Sequence, residues 1–324
     1  MLTVVATSPR VAPGLLSREA WRALEAADTV LAPVGHAQLP ALGQAGIRVV
    51  DPGQGAELTR SLAEAAGSDG SVVWLPEAGV DVTGLVAELG EGGGRARVVA
   101  GSADLPGARL IDLVQTMDRL RVECPWDARQ THASLAPHLL EEPYEALDAL
   151  ESGDQQAFCE ELGDVLLQVV FHARMAAERD DGTGYTIDDV ADGIVAKLKR
   201  RHPHVFGDVT VSGADEVKTN WDAIKREEKR ARAERDGQGS LAPSALDGVP
   251  FGQPALSLAA QLQRRAARAG VPDELARLDG DEAEIGRELF RLVAAARAAG
   301  RDPELELRAV ARRYLDLVRA WERR

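Results

Sequence analysis

Hydrophobic positions divide this chain into two regimes. Up to about residue 107, short β-branched runs alternate with stretches rich in Gly, Pro and Ala; the runs are Leu2–Ala6, Thr29–Ala32, Ile47–Asp51, Val72–Leu75 and Arg97–Ala100. Ser17 caps a helical pattern that continues to Glu25. Strands alternating with helices predict a small N-terminal α/β domain with a parallel or mixed sheet. From about residue 109 the apolar spacing turns helical. It predicts helices near 109–121, 133–151, 155–179, 187–200 and 214–235, then near 255–269, 281–299 and 303–322. Thr186 with Asp189 reads as a capping box, while Gly153-Asp154 and Asp181–Gly184 read as breaks. The Gly-, Pro- and Ser-rich segment 236–254 reads as a linker.

The fold class is therefore α+β and multidomain. It comprises an α/β domain over 1–107, an all-α domain over 108–235, the linker, and a helical C-terminal segment over 255–324. That segment carries an echo. Glu161–Arg174 aligns with Glu284–Arg297 at a constant offset of 123, matching Gly163 with Gly286, Leu166 with Leu289, Val170 with Val293, Ala173 with Ala296 and Arg174 with Arg297. We read it as a decayed duplication.

The chemistry lies in two acidic helices. Residues three apart on a helix sit about 60° apart around the axis and roughly 4.5 Å along it. Glu142 and Glu145 thus share a face, as do Glu161 and Asp164. Apolar residues flank both pairs: Leu139, Ala146, Leu147 and Leu150 on one helix; Leu162, Val165, Leu166, Val169 and Ala173 on the other. A two-residue break at Gly153-Asp154 makes the helices antiparallel neighbours. Packing those apolar faces gathers four carboxylates, which repel one another unless a cation or proton is shared. An all-oxygen ligand set suits Mg²⁺, or Mn²⁺, rather than zinc. Taken singly, each pair also reads as a solvated acidic stripe. Downstream, Lys197–His202 and Trp221–Lys225 offer cations for phosphate, although a basic run by itself reads as a helix end. The histidines read as structural. His138, four before Glu142, and His172, eleven after Glu161, stand at spacings that bring them near the acids.

These residues resemble the MazG family of nucleoside triphosphate pyrophosphohydrolases. The match runs through Leu120-Arg121, Cys124–Asp127 (CPWD), Gln130–Leu135 (QTHASL), the acidic helix 139–150, Glu160–Ala173 (EELGDVLLQVVFHA), Lys197–Gly207 (KLKRRHPHVFG) and Trp221–Lys229. It is weaker through Leu246–Pro250 and 255–267. The resemblance implies an all-α catalytic domain that hydrolyses a nucleoside triphosphate between its α and β phosphates, giving a monophosphate and pyrophosphate. It implies Glu142, Glu145, Glu161 and Asp164 as Mg²⁺ ligands and Glu141 as a residue that orients water. Lys197, Arg201 and Lys225 fall at triphosphate contacts and Trp221 at a base contact. A homodimer is also implied.

The sequence departs from that pattern in three places. Pro143 stands inside the acidic helix, where it removes a backbone hydrogen bond and predicts a kink. Arg287 stands where the echo needs an acid, so no metal site is expected in the C-terminal segment. Residues 3–31, 75–80 and 98–102 resemble part of a tetrapyrrole methylase. The first loop is Thr7-Ser8-Pro9-Arg10 in place of Gly-Asp-Pro, however, which implies a degenerate, silent module. Competing readings are a helical metal- or nucleotide-binding regulator without catalysis and an N-terminal methyltransferase. A di-iron bundle would need Glu-x-x-His pairs, which neither acid pair has.

Composition adds boundaries. The chain has 324 residues, 38 Lys and Arg against 52 Asp and Glu, and a net charge of -14, which disfavours non-specific nucleic-acid binding. Cys124 and Cys159 are its two cysteines, far apart, as expected in a reducing compartment. No apolar run spans a membrane and Met1–Val5 has no charged leader, so the expectation is a cytoplasmic protein without membrane partners.

Overall fold

The computed structural model describes residues 1–77, 80–91, 94–235, 244–276 and 284–324. It forms two compact units, Met1–Val195 and Ala196–Arg324. Part of the expected linker, 236–243, lies outside the described residues.

In the first unit, β1 (Leu2–Ala6), β2 (Thr29–Leu31), β3 (Val49–Val50), β4 (Val72–Trp74) and β5 (Ala96–Ala100) make one sheet in the order β3-β2-β4-β1-β5. All the pairings are parallel, with Val4 opposite both Trp74 and Val98, and Val30 opposite both Val73 and Val49. Both faces are covered, which explains why the strands read as continuous apolar runs. Val5, Val30, Val73 and Val99 pack under α1 (Arg18–Glu25) and α2 (Leu39–Gln44). Leu2, Val4, Leu31 and Trp74 pack under α3 (Ala56–Gly67) and α4 (Val82–Glu91). The sequence pattern shows α1 but hides the other three. The first helix carries a side-chain cap, Ser17, which accepts from the Ala20 amide, whereas α2 and α3 have none. Gly84 inside α4 weakens its pattern further.

The helices that follow keep their predicted places: α5 (Arg109–Glu123), α6 (His132–Ser152), α7 (Gln155–Ala176) and α8 (Ile187–Arg201). A capping box between Thr131 and Ser134 starts α6. The helix runs unbroken through Pro137 and Pro143. It ends at Gly153, whose φ of +79° is the left-handed region that glycine enters without a Cβ penalty. Asp154 then caps α7 by accepting from the amides of Gln156 and Ala157 at 3.0 Å each. The reversal takes two residues, so α6 and α7 lie antiparallel. Met117, Leu135, Val170, Phe171 and Met175 form the core that holds α5, α6 and α7 together.

Here the structure corrects one expectation. Leu139, Leu150, Leu162 and Val169 do not pack between α6 and α7; each is more than a third exposed. The small residues Ala146, Ala149 and Ala173 are buried instead. Small side chains let two helices approach closely, and the larger ones are displaced to an outer face.

The second unit contains α9 (Pro203–Phe206), α10 (Ala214–Arg235), α11 (Ala255–Arg268), α12 (Glu284–Ala298) and α13 (Pro303–Glu322), the last three in mutual contact. Among the described residues no helix is long and apolar enough to cross a membrane. Cys124 and Cys159 are free thiols.

Candidate metal and nucleotide site

The α6–α7 reversal sets the geometry of the acids. Glu142 and Glu145 project from α6 and Glu161 from α7, and one carboxylate oxygen from each lies within 4.8 Å of the others. Asp164, one turn beyond Glu161, stands outside this tight group, but its charge acts on both Glu142 and Glu161. The Glu142 carboxyl is held above its ordinary range, first by burial and then by the negative charges of Asp164, Glu145, Glu141 and Glu161. Glu161 is raised likewise, first by burial and then by Glu145, Asp164 and Glu160. Glu161 Oε2 is buried and has no hydrogen-bond donor among the described residues. A buried acceptor without a donor is costly. A hard divalent ion fits these residues, because it relieves the repulsion and satisfies the orphaned oxygen together.

Glu141 is exposed beside this group, and its Oε2 lies 3.6 Å from His138 Nδ1. His172 turns elsewhere: its Nδ1 meets His132 Nδ1 at 2.7 Å, with the rings stacked 5.0 Å apart. Burial, and then His132, lower the His172 pKa, so one ring of the pair stays neutral and accepts.

The expected phosphate and base contacts lie in the second unit. Lys197 and Arg201 end α8, and Trp221 and Lys225 lie on α10. The structure brings Arg201 and Trp221 together, with the guanidinium 5.4 Å from the indole centroid. His202 meets the same ring edge-on at 4.8 Å. Glu228, two turns past Trp221, accepts from Arg201 Nη2 at 2.6 Å and from Arg200 Nε at 2.6 Å. Sequence spacing gives no sign of this anchor, because it depends on how α8 and α10 meet. Lys225 is exposed and Lys197 half-buried, and neither has an ion-pair partner among the described residues.

The first loop of the sheet shows a second anchor that the sequence concealed. Arg10, its side chain only 8% exposed, reaches Asp104 at 2.6 Å and Asp112 of α5 at 2.5 Å. Ser8 Oγ also donates to Asp104. The loop is thus filled by its own arginine.

The MazG nucleotide pyrophosphohydrolase domain matches residues 130–206, which include all four acids. An uncharacterized 26.1 kDa protein of Streptomyces cacaoi is 47% identical over 249 residues, covering 74% of this chain and 96% of that one. The nucleoside triphosphate pyrophosphohydrolase of Mycolicibacterium smegmatis is 41% identical over 226 residues, covering 70% of this chain and 63% of its own length. The nucleoside triphosphate pyrophosphohydrolase/pyrophosphatase MazG of Thermotoga maritima is 37% identical over 236 residues, covering 67% of this chain and 86% of that protein. With the acids converging where that domain falls, and a relative of this identity spanned almost whole, the chain belongs to the MazG nucleotide pyrophosphohydrolase family.

Proposed function

We propose that this protein is a Mg²⁺- or Mn²⁺-dependent nucleoside triphosphate pyrophosphohydrolase that cleaves the α–β anhydride to give a monophosphate and pyrophosphate. The observation that carries this reading is the convergence of Glu142, Glu145 and Glu161 around a buried, donorless oxygen. Glu142, Glu145, Glu161 and Asp164 would hold the ion. When bound, it supplies the positive charge that neutralises phosphate oxygens and polarises water. Glu141, exposed and next to the ligands, orients the attacking water. Lys197, Arg201 and Lys225 bind phosphate oxygens, and Trp221 offers its ring to the base. Arg201 is pre-positioned for this by Glu228, which holds Nε and Nη2 and leaves Nη1 without a partner among the described residues. Positioning and charge stabilisation are the main contributions that phosphoryl chemistry asks of a protein.

We also assign the exposed apolar face of α6 and α7, with Leu139, Leu150, Leu162 and Val169, to a homodimer contact. The filled loop at Arg10 supports a silent N-terminal domain. The deciding experiment is a pyrophosphate-release assay across canonical, oxidised and deaminated triphosphates, with Mg²⁺ and with EDTA. Metal-dependent release of monophosphate and pyrophosphate in equal amounts is expected. Release of inorganic phosphate instead, or no turnover of any triphosphate, overturns the reading.

A further inference from the structure

The motif Lys197–Gly207 continues past the cations assigned to phosphate into His202-Pro203-His204, which the proposed chemistry leaves without a part. Pro203 has no N–H with which to continue α8, and its ring keeps the residue before it out of helical geometry. His202 accordingly stands at φ -123° and ψ 57°, just past the end of α8 at Arg201. From there its side chain turns back onto the helix. His202 Nδ1 lies 2.7 Å from the Leu198 carbonyl, one of the last four carbonyls, which a helix end leaves without an intrahelical donor. A carbonyl only accepts, so Nδ1 carries the proton, and the imidazole is fixed in both tautomer and direction.

The ring held in this way meets Trp221 of α10. The two centroids are 4.8 Å apart and the planes cross at 74°, an edge-to-face contact. His204 lies against His202, with centroids 5.6 Å apart. Arg201, the preceding residue, places its guanidinium 5.4 Å from the indole centroid, and Glu228 accepts from that guanidinium at 2.6 Å. The chain beneath the indole is tied as well, because Asp222 pairs with Arg268 of α11 at 3.0 Å. Trp221 is half-buried. What freedom it retains lies in its two χ angles, and the contacts with Arg201 and His202 restrict them. A side chain that must be ordered on binding weakens the complex, and one ordered beforehand does not.

We infer that His202 is a positioning residue for the nucleobase. It fixes the Trp221 ring, so that a base stacks on the indole without first ordering it. The inference rests on the proposed binding of a nucleoside triphosphate and adds a residue that acts through Trp221 and not on the phosphates. Its effect therefore falls on substrate binding and not on the chemical step. A residue that only closes the end of α8 needs its N–H, whereas a residue that positions the indole needs its ring.

Two variants separate these roles. His202→Asn keeps an N–H for the Leu198 carbonyl and lacks the ring; His202→Phe keeps a ring and lacks the N–H. His202→Asn is expected to raise KM for a nucleoside triphosphate about tenfold while kcat changes less than about twofold, within what stacking on one aromatic side chain supplies. His202→Phe keeps KM within about threefold of the parent, because the edge contact survives. Far-ultraviolet circular dichroism checks that both variants fold. The near-ultraviolet band of Trp221, isolated by subtracting the Trp221→Phe spectrum, weakens in His202→Asn and persists in His202→Phe. That band needs no substrate. A parent that turns over no triphosphate thus overturns the catalytic reading, while the band still decides whether His202 sets the indole. Parent-like KM in His202→Asn overturns the inference. So does an indole band unchanged in His202→Asn, or an equal loss in both variants.

Discussion

Glu142 on α6 and Glu161 on α7, nineteen residues apart in sequence, place carboxylate oxygens within 4.8 Å of each other across a two-residue turn. Neither carboxyl has a salt-bridge partner among the described residues, and both are held above the ordinary carboxylate range. Repulsion of this kind persists in a fold when something else benefits from it.

Removing one acid should therefore separate folding from turnover. Glu161→Gln and Asp164→Asn are each expected to lower pyrophosphate release at least about 100-fold, within what loss of a metal ligand costs. Their circular dichroism should match the parent. Glu284→Gln, at the echo position in the second unit, should leave turnover unchanged. Full activity in both acid variants would sink the metal site.

The raised carboxyls set a pH dependence with a definite sign. Their folded pKa values lie above the unfolded value of about 4.3, so the metal-free fold binds these protons more tightly than the unfolded chain does. Their contribution is therefore unfavourable at neutral pH and is relieved as pH falls toward the ordinary carboxylate range. In EDTA, Glu161→Gln should melt above the parent at pH 7, with the gap closing on acidification. Added Mg²⁺ should reverse the order, because only the parent keeps its full ligand set. Thermal melts of the two proteins with and without Mg²⁺ measure this directly.

The Arg10 anchor predicts that the N-terminal loop is structural. Arg10→Ala should lower the melting temperature by several degrees, since the ion pairs to Asp104 and Asp112 that join the loop to α5 are both lost. S-adenosylmethionine titrated calorimetrically into the parent should give no binding heat. Measured binding would restore the methyltransferase reading.

The turn that joins the acidic helices has its own test. Gly153→Ala forces a Cβ into the left-handed region and should cost about 1–2 kcal/mol, read from urea melts. Thr131→Ala removes the α6 cap and should cost about 1 kcal/mol.

The outer apolar face predicts oligomeric state. Val169→Asp or Leu150→Asp should convert a dimer to a monomer in light scattering, because a charge at a buried contact goes unpaired. A parent that is already monomeric would remove the dimer assignment.

Local signals fixed a great deal here. The five strands, the long helices and the Gly153-Asp154 turn follow from the apolar period and from residues whose backbone preferences are strong. The acid pairs follow from helical spacing. All of these depend on neighbours within about a turn of chain. The helices α2, α3 and α4 were not legible, because weak capping and glycine leave too little local preference, and packing on the sheet decides them. Tertiary structure alone decided that Ala146, Ala149 and Ala173 are buried while Leu139, Leu150, Leu162 and Val169 are exposed. It alone gave Arg10 to Asp112 and Arg201 to Glu228. Helical period states which residues share a face. Which face another helix covers depends on side-chain volume and on chain far away in sequence, and no local pattern contains either.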